Sequence, residues 1–191
     1  MRMKVLILSI AAICLILAVA PCVAQTPPDV LGLKMYLKID GIKGESQEDQ
    51  HKDWIEIFHY AAGVTQGYDP VWSGTSTQPN FAPVTVFKYV DLSSPKLREG
   101  AAYGTHFPSA QIEMAYNGST FFTVKMENVM VSNAQAVTTE IACPDTSTTD
   151  SNYPQERVSF SFAKITYTWL SGGGNITTGY DFANPYLVIP Y

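Results

Sequence analysis

The chain is poor in cysteine, histidine and positive charge, and each shortage removes a class of function. Of three cysteines, Cys14 and Cys22 fall within the first 24 residues, which leaves Cys143 alone in the rest. One thiol makes no internal disulfide, so packing must hold the fold. Cys143 lies in a Thr-, Ser-, Pro- and Asp-rich stretch where nothing nearby would activate a thiolate. The three histidines, His51, His59 and His106, form no pair that sets two ligands on one face, so no zinc site is expected. They read as surface or hydrogen-bonded side chains, and alanine at each should be tolerated. The sequence contains no Gly-x-Ser-x-Gly elbow and no P-loop. Gly172-Gly173-Gly174 has no helix behind it and reads as a turn, not a phosphate cradle. No spacing singles out a carboxylate pair for glycoside cleavage. The expectation is no catalytic residue, no cofactor and no metal.

The one long hydrophobic run is at the start. Arg2 and Lys4 precede the apolar stretch 5–20, and Cys22-Val23-Ala24 offers a small-x-small cleavage site before Gln25. That is the anatomy of a secretory signal peptide. The chain thus divides into a signal, 1–24, and one domain, 25–191, exported to the periplasm or the exterior with no stable membrane insertion after cleavage. Of the 12 basic residues two lie in the signal, leaving 10 against 17 acidic ones, a net of about −7. No basic stripe interrupts that balance, which excludes a nucleic-acid partner.

The remainder is mainly β. Residues 34–40 alternate Met35, Leu37 and Ile39 against Lys34, Tyr36 and Lys38, as a half-buried strand does. A polar, aperiodic loop over 40–53 follows, then strands at 54–60 and 84–90. Between these two, 63–83 is rich in Gly, Ser, Thr, Gln and Pro and reads as a connection. Its Tyr68, Trp72 and Phe81 either bind carbohydrate or protein or fold back over the core. One helix is expected at 95–103, with Ser94 as N-cap, Pro95 first and Gly104 past the end. At about three turns it would not persist alone. Lys96 and Arg98 also oppose its dipole. Leu97 and Ala101 must therefore pack on the sheet.

Residues 110–116 and 120–131 read as a hairpin about Asn117-Gly118. A two-residue turn sets Ile112 against Thr123, whereas a three-residue loop pairs Met114 with Phe122 and Ile112 with Val124, and the second is favoured. Along 157–170 the inward set changes from Val158, Phe160 and Phe162 to Ile165, Tyr167 and Trp169. A bulge or bend near Ala163-Lys164 would turn both sets to a core. A closing edge strand is expected at 178–184.

Several segments carry a resemblance. Phe87-Lys88-Tyr89-Val90-Asp91-Leu92-Ser93-Ser94-Pro95-Lys96-Leu97 runs a strand through an acidic turn into the helix that ends at Gly104. Met35 to Ser46, Arg157 to Ile165, and Gly179-Tyr180-Asp181 with Asn184 follow in matching order. Together they resemble the Hcp (haemolysin-coregulated protein) family, the tube proteins of bacterial type VI secretion, over about 34–184. The resemblance implies a small β-barrel of two sheets with one flanking helix. It also implies a homo-hexameric ring, stacked rings, effector proteins as cargo, and a spike or sheath component as partner. By the same resemblance the 40–53 loop is an arm reaching a neighbouring ring, with Asp40, Gly41, Lys43, Gly44, Glu45, Ser46 and His51 as stacking residues. Tyr60, Ala61 and Ala62 would face the lumen. Three features depart from the family. It usually has no cleavable signal; Phe58 to Gly63 replaces a Trp- and Ser-rich strand end; and 138–154 is an enlarged polar loop. The rival reading is an exported monomeric binding module that kept the barrel without the tube; a hydrolase comes after both.

Overall fold

Short runs of β-branched and aromatic residues, broken by glycine and asparagine turns, build most of what the structure describes. The computed structural model describes residues 32–67, 79–137 and 154–184. The signal segment, Tyr68, Trp72 and the stretch 138–153 with Cys143 lie outside them. The strands are β1 (Leu33–Ile39), β2 (Ile55–Ile57), β3 (His59–Ala61), β4 (Val64–Thr65), β5 (Asn80–Phe81) and β6 (Val84–Tyr89). The helix α1 (Ser94–Tyr103) comes next, then β7 (His106–Tyr116), β8 (Ser119–Val137), β9 (Gln155–Ser161), β10 (Lys164–Trp169) and β11 (Ile176–Asp181).

Nine strands form one antiparallel sheet whose main path is β2-β1-β7-β8-β9-β6-β3, with β10 on β8 and β11 on β10; β4 and β5 make a separate pair. The two ends of that path, β2 and β3, are consecutive in the chain, separated by Phe58 alone. The run expected at 54–60 is therefore two strands, because the chain leaves β1 and joins β6 there. The Phe58 N–H donates to Phe87 O at 3.0 Å. The sheet thus curls until its ends meet through the chain itself, without a ladder closing it. Inside lie Leu37, Ile39, Ile55, Val84, Val86, Ile112, Val124, Met126, Val158, Phe160 and Ile165, all essentially buried.

The spine is β8. One edge pairs with β7 from Ser119 to Met130, and the other pairs with β10 up to Glu127 opposite Lys164 and with β9 from Met130 onward. Asn128 takes a positive φ of 51° at the changeover. On the partner side the chain breaks between β9 and β10, where Ala163 N–H donates to Glu127 O. This is the bend that carries the inward set from Val158 and Phe160 to Ile165.

The hairpin reconciles two conflicting signals. Asn117 and Gly118 both have positive φ, 48° and 78°, and Tyr116 faces Ser119, so the turn is a two-residue type I′. The three-residue loop was the wrong choice. The register then shifts between Met114 and Ala115, and the extra residue Phe121 restores Met114 opposite Phe122 and Ile112 opposite Val124. The apolar pairing holds, by a bulge instead of a longer loop.

Helix α1 packs on β8. Leu97 is fully buried and Ala101 rests on the core. Burying one leucine contributes about 1.5–3 kcal/mol. Gly104, at φ 62°, ends the helix and its N–H donates to Gly100 O. The start differs from expectation: Ser93 precedes the helix and Ser94 lies within it, with no side-chain cap bond. The Ser94 hydroxyl is instead drawn into a buried ionic cluster.

Candidate assembly surfaces

The 43–54 segment is not a free arm. Gly44 N–H donates to Asp53 O at 2.8 Å, Ser46 N–H to Trp54 O at 3.0 Å, and Asp53 N–H back to Ser46 O at 3.0 Å. The close approach needs glycine, since a Cβ at Gly44 would stand 2.2 Å from Trp54 O. A short 3-10 turn, Asp49–His51, then folds inward. His51 is 2 % exposed. Its ring stacks on Tyr36 with centroids 4.0 Å apart and meets Trp54 edge-on at 4.9 Å. Its Nε2 lies 2.9 Å from Glu113 Oε2, a carboxylate that also accepts from Thr120 Oγ1 and Gln111 Nε2. Tyr36, expected on a polar face, is covered by this arm and only 2 % exposed.

The stacking residues named from the resemblance therefore divide. Asp40, Gly41, Lys43 and Glu45 are exposed. Gly44, Ser46 and His51 are buried, so within this chain they hold the arm itself, and His51 is a hydrogen-bonded histidine and not a surface one. Asp40 Oδ2 accepts from Ser109 Oγ at 2.8 Å, Lys43 lies 3.6 Å from Asp53, and Glu45 Oε1 accepts from the Leu92 N–H at 3.1 Å. The last bond ties the arm to the turn before α1.

Of the residues assigned to a lumen, Ala61 and Ala62 are exposed. Tyr60 is not: it stands opposite Val86 and packs on the core. Burial pushes the Tyr60 phenol well above its ordinary value, with Tyr167 adding to the effect, and burial raises Tyr167 too. His59 is exposed on β3, edge-on to Phe87; His106 is exposed and bonds Asn128.

A buried ionic cluster that sequence reasoning missed fixes α1 to the sheet. Lys88 ends the inward row of Val84 and Val86, and faces Glu156, which begins the row of Val158 and Phe160. Both are fully buried. Lys88 Nζ donates to Glu156 Oε1 at 2.8 Å, Asp91 Oδ1 at 2.7 Å and Tyr89 O at 2.8 Å. Ser94 Oγ donates to Glu156 Oε1 at 2.6 Å, and Arg98 approaches Oε2 at 3.3 Å. Two cations thus balance two carboxylates, a geometry suited to structure. Its signal was available: a lysine and a glutamate each extending an apolar parity.

Exposed apolar residues gather at one end of the strands and polar ones at the other. At the first end Leu33 stands opposite Tyr116 on β1 and β7, and Phe122, Trp169 and Ile176 stand opposite one another across β8, β10 and β11. Tyr116, Trp169 and Ile176 are about half exposed. At the other end Lys164 faces both Glu127 and Asp181, and Ser109 faces Glu127. Phe81 joins Phe162, Tyr180 and Phe182 in an aromatic group, folded back as one of the two readings had it. Among the described residues no group of His, Cys, Asp and Glu gathers as a metal site, and no helix is long and apolar enough to cross a membrane.

Residues 36–169 match the family described as "Type VI secretion system effector, Hcp". The chain belongs to the Hcp family. The matched residues run from β1 to β10 and include the arm, the ionic cluster and α1. Among curated relatives, Protein hcp1 of Pseudomonas aeruginosa is 23% identical over 109 residues, covering 54% of this chain and 67% of that one. Hcp1 from Salmonella typhimurium is similar in structure, with a TM-score of 0.66 at 25% identity over 81% of this chain and 97% of that one. A type VI secretion system effector from Yersinia pestis shares the fold, with a TM-score of 0.63 at 24% identity over 77% and 98%. The mainly β Hcp fold with one helix is thereby established, and with it a structural part of type VI secretion as the family's role.

Proposed function

We propose that this chain is an exported, ring-forming tube protein of type VI secretion. Six copies close into a homo-hexamer, rings stack through the 40–53 arm, and the tube carries effector proteins and engages a spike or sheath component. The N-terminal 24 residues direct export to the periplasm or exterior. Membership of the Hcp family supports the ring. The observation that carries assembly by this chain is the half-exposed pair Trp169 and Ile176, the second of them on β11, whose outer edge has no partner strand among the described residues. An open edge next to half-exposed apolar side chains favours contact with another chain. Closure of identical units head to tail needs complementary surfaces and no catalytic group. On this reading the chain performs no reaction.

Replacing most of 40–53 by a short turn tests the arm. Rings should persist in electron micrographs while stacks disappear; intact stacks would remove the arm from the proposal. Rings absent from the unmodified protein would favour the exported monomeric binding module.

A further inference from the structure

Besides the surface ion pair of Lys34 with Glu48 at 3.5 Å, two links of unequal strength tie the arm to the rest of the domain. One is the hydrogen bond from the Leu92 N–H to Glu45, on the surface. The other is His51, which leaves a polar segment to pack across the paired strands β1 and β7, where it stacks on Tyr36 and bonds Glu113. Its Nδ1 is buried without a partner among the described residues. An unpaired buried nitrogen is unfavourable, so packing alone would be served better by phenylalanine. What histidine adds is a ring that stacks on one strand while bonding a carboxylate on the next, which fixes its position in two directions. Outside this anchor the arm presents Lys43, Glu45, Gln47, Lys52 and Asp53, all exposed and polar.

We propose that His51 is the positioning residue of the 43–54 arm, holding it in one conformation so that it meets a second copy of the chain as a finished polar surface. This rests on the arm-stacking reading above. A segment ordered beforehand loses little freedom on contact, whereas one that orders during contact binds more weakly. A contact made by charged side chains is also screened by salt. Stacks should therefore come apart as salt rises, while rings remain.

The test uses the protein lacking residues 1–24, with amide hydrogen exchange over 44–54, native mass for rings, and electron microscopy for stacks. His51→Ala should keep the ring, speed exchange in the arm at least about tenfold, and raise the protein concentration needed for stacking by about tenfold. His51→Phe, which restores the ring stack without the hydrogen bond, should recover most of the loss. Unchanged exchange in His51→Ala, or faster exchange with unchanged stacking, overturns the proposal. Should His51→Ala fail to fold, Glu113→Gln takes its place: exchange about threefold faster and weaker stacking are expected, and no change in either overturns it. Stacks that survive replacement of the arm itself would instead overturn the arm-stacking reading, a distinct result.

Discussion

Replacing Lys88 by methionine keeps the length of the side chain and removes its charge, which isolates the ionic cluster from packing. The three protons of the ammonium are all used, on Glu156, Asp91 and the Tyr89 carbonyl. Without them Glu156 remains fully buried, with Ser94 at 2.6 Å and Arg98 at 3.3 Å. Arg98 is 49% exposed, so water screens its charge and it compensates poorly. Leaving a buried carboxylate without its main partner costs about 3–5 kcal/mol. That is a fifth or more of the roughly 5–15 kcal/mol holding a domain. For a domain of this size each kcal/mol moves the melting temperature by about 2–4 °C, so Lys88→Met should fall by roughly 6–20 °C. Lys88→Met with Glu156→Gln should lose much less than the sum of the two single changes, because removing both charges also removes the desolvation problem. Urea unfolding of the four proteins gives the cycle. A single-variant loss under about 1 kcal/mol, or additive losses, would refute the assignment of Lys88 as the partner that makes Glu156 tolerable there.

Other changes separate the core from the surface. Leu97→Asp sets an unpaired carboxylate where Leu97 is fully buried, costs several kcal/mol and should unfold the domain or detach the helix, as calorimetry would report; a stable variant would mean that this face of the helix is solvated. Alanine at His59 or His106 should change the urea midpoint by no more than about 0.5 kcal/mol, since both are exposed, and a larger loss would reveal a contact outside the described residues. The raised phenols of Tyr60 and Tyr167 keep their protons in the fold at pH values where the unfolded chain releases them, near about 10. Their contribution is complete below that pH and is lost as pH rises through the folded values. Tyr60→Phe should therefore flatten the alkaline loss of stability, and an unchanged alkaline slope would place Tyr60 in water.

Local signals were enough for much of this fold. The alternation of Met35, Leu37 and Ile39, the capping glycine at 104 and the parity change across 162–163 depend only on neighbours in sequence, and each marks a feature that is present. The hairpin shows two correct signals that disagree: Asn117-Gly118 dictates a two-residue turn, the apolar pairs demand one residue more, and Phe121 supplies it as a bulge. Pairings between distant strands were not legible. Lys88 and Glu156 meet only because β6 and β9 lie in register, 68 residues apart. The burial of His51 needs Tyr36 from the seemingly polar side of β1 and Glu113 from β7, and nothing in the surrounding run of polar residues marks it. Tyr60 was assigned to the lumen by family resemblance, whereas within this chain it stands opposite Val86 and packs on the core.

Self-assembly is the central claim, and the mass of the native particle tests it most directly. Native mass spectrometry of the protein lacking residues 1–24, at near-neutral pH and moderate salt, should give six times the chain mass as the main species. A particle of one chain mass across the accessible concentration range would contradict the account and leave a monomeric binding module in its place.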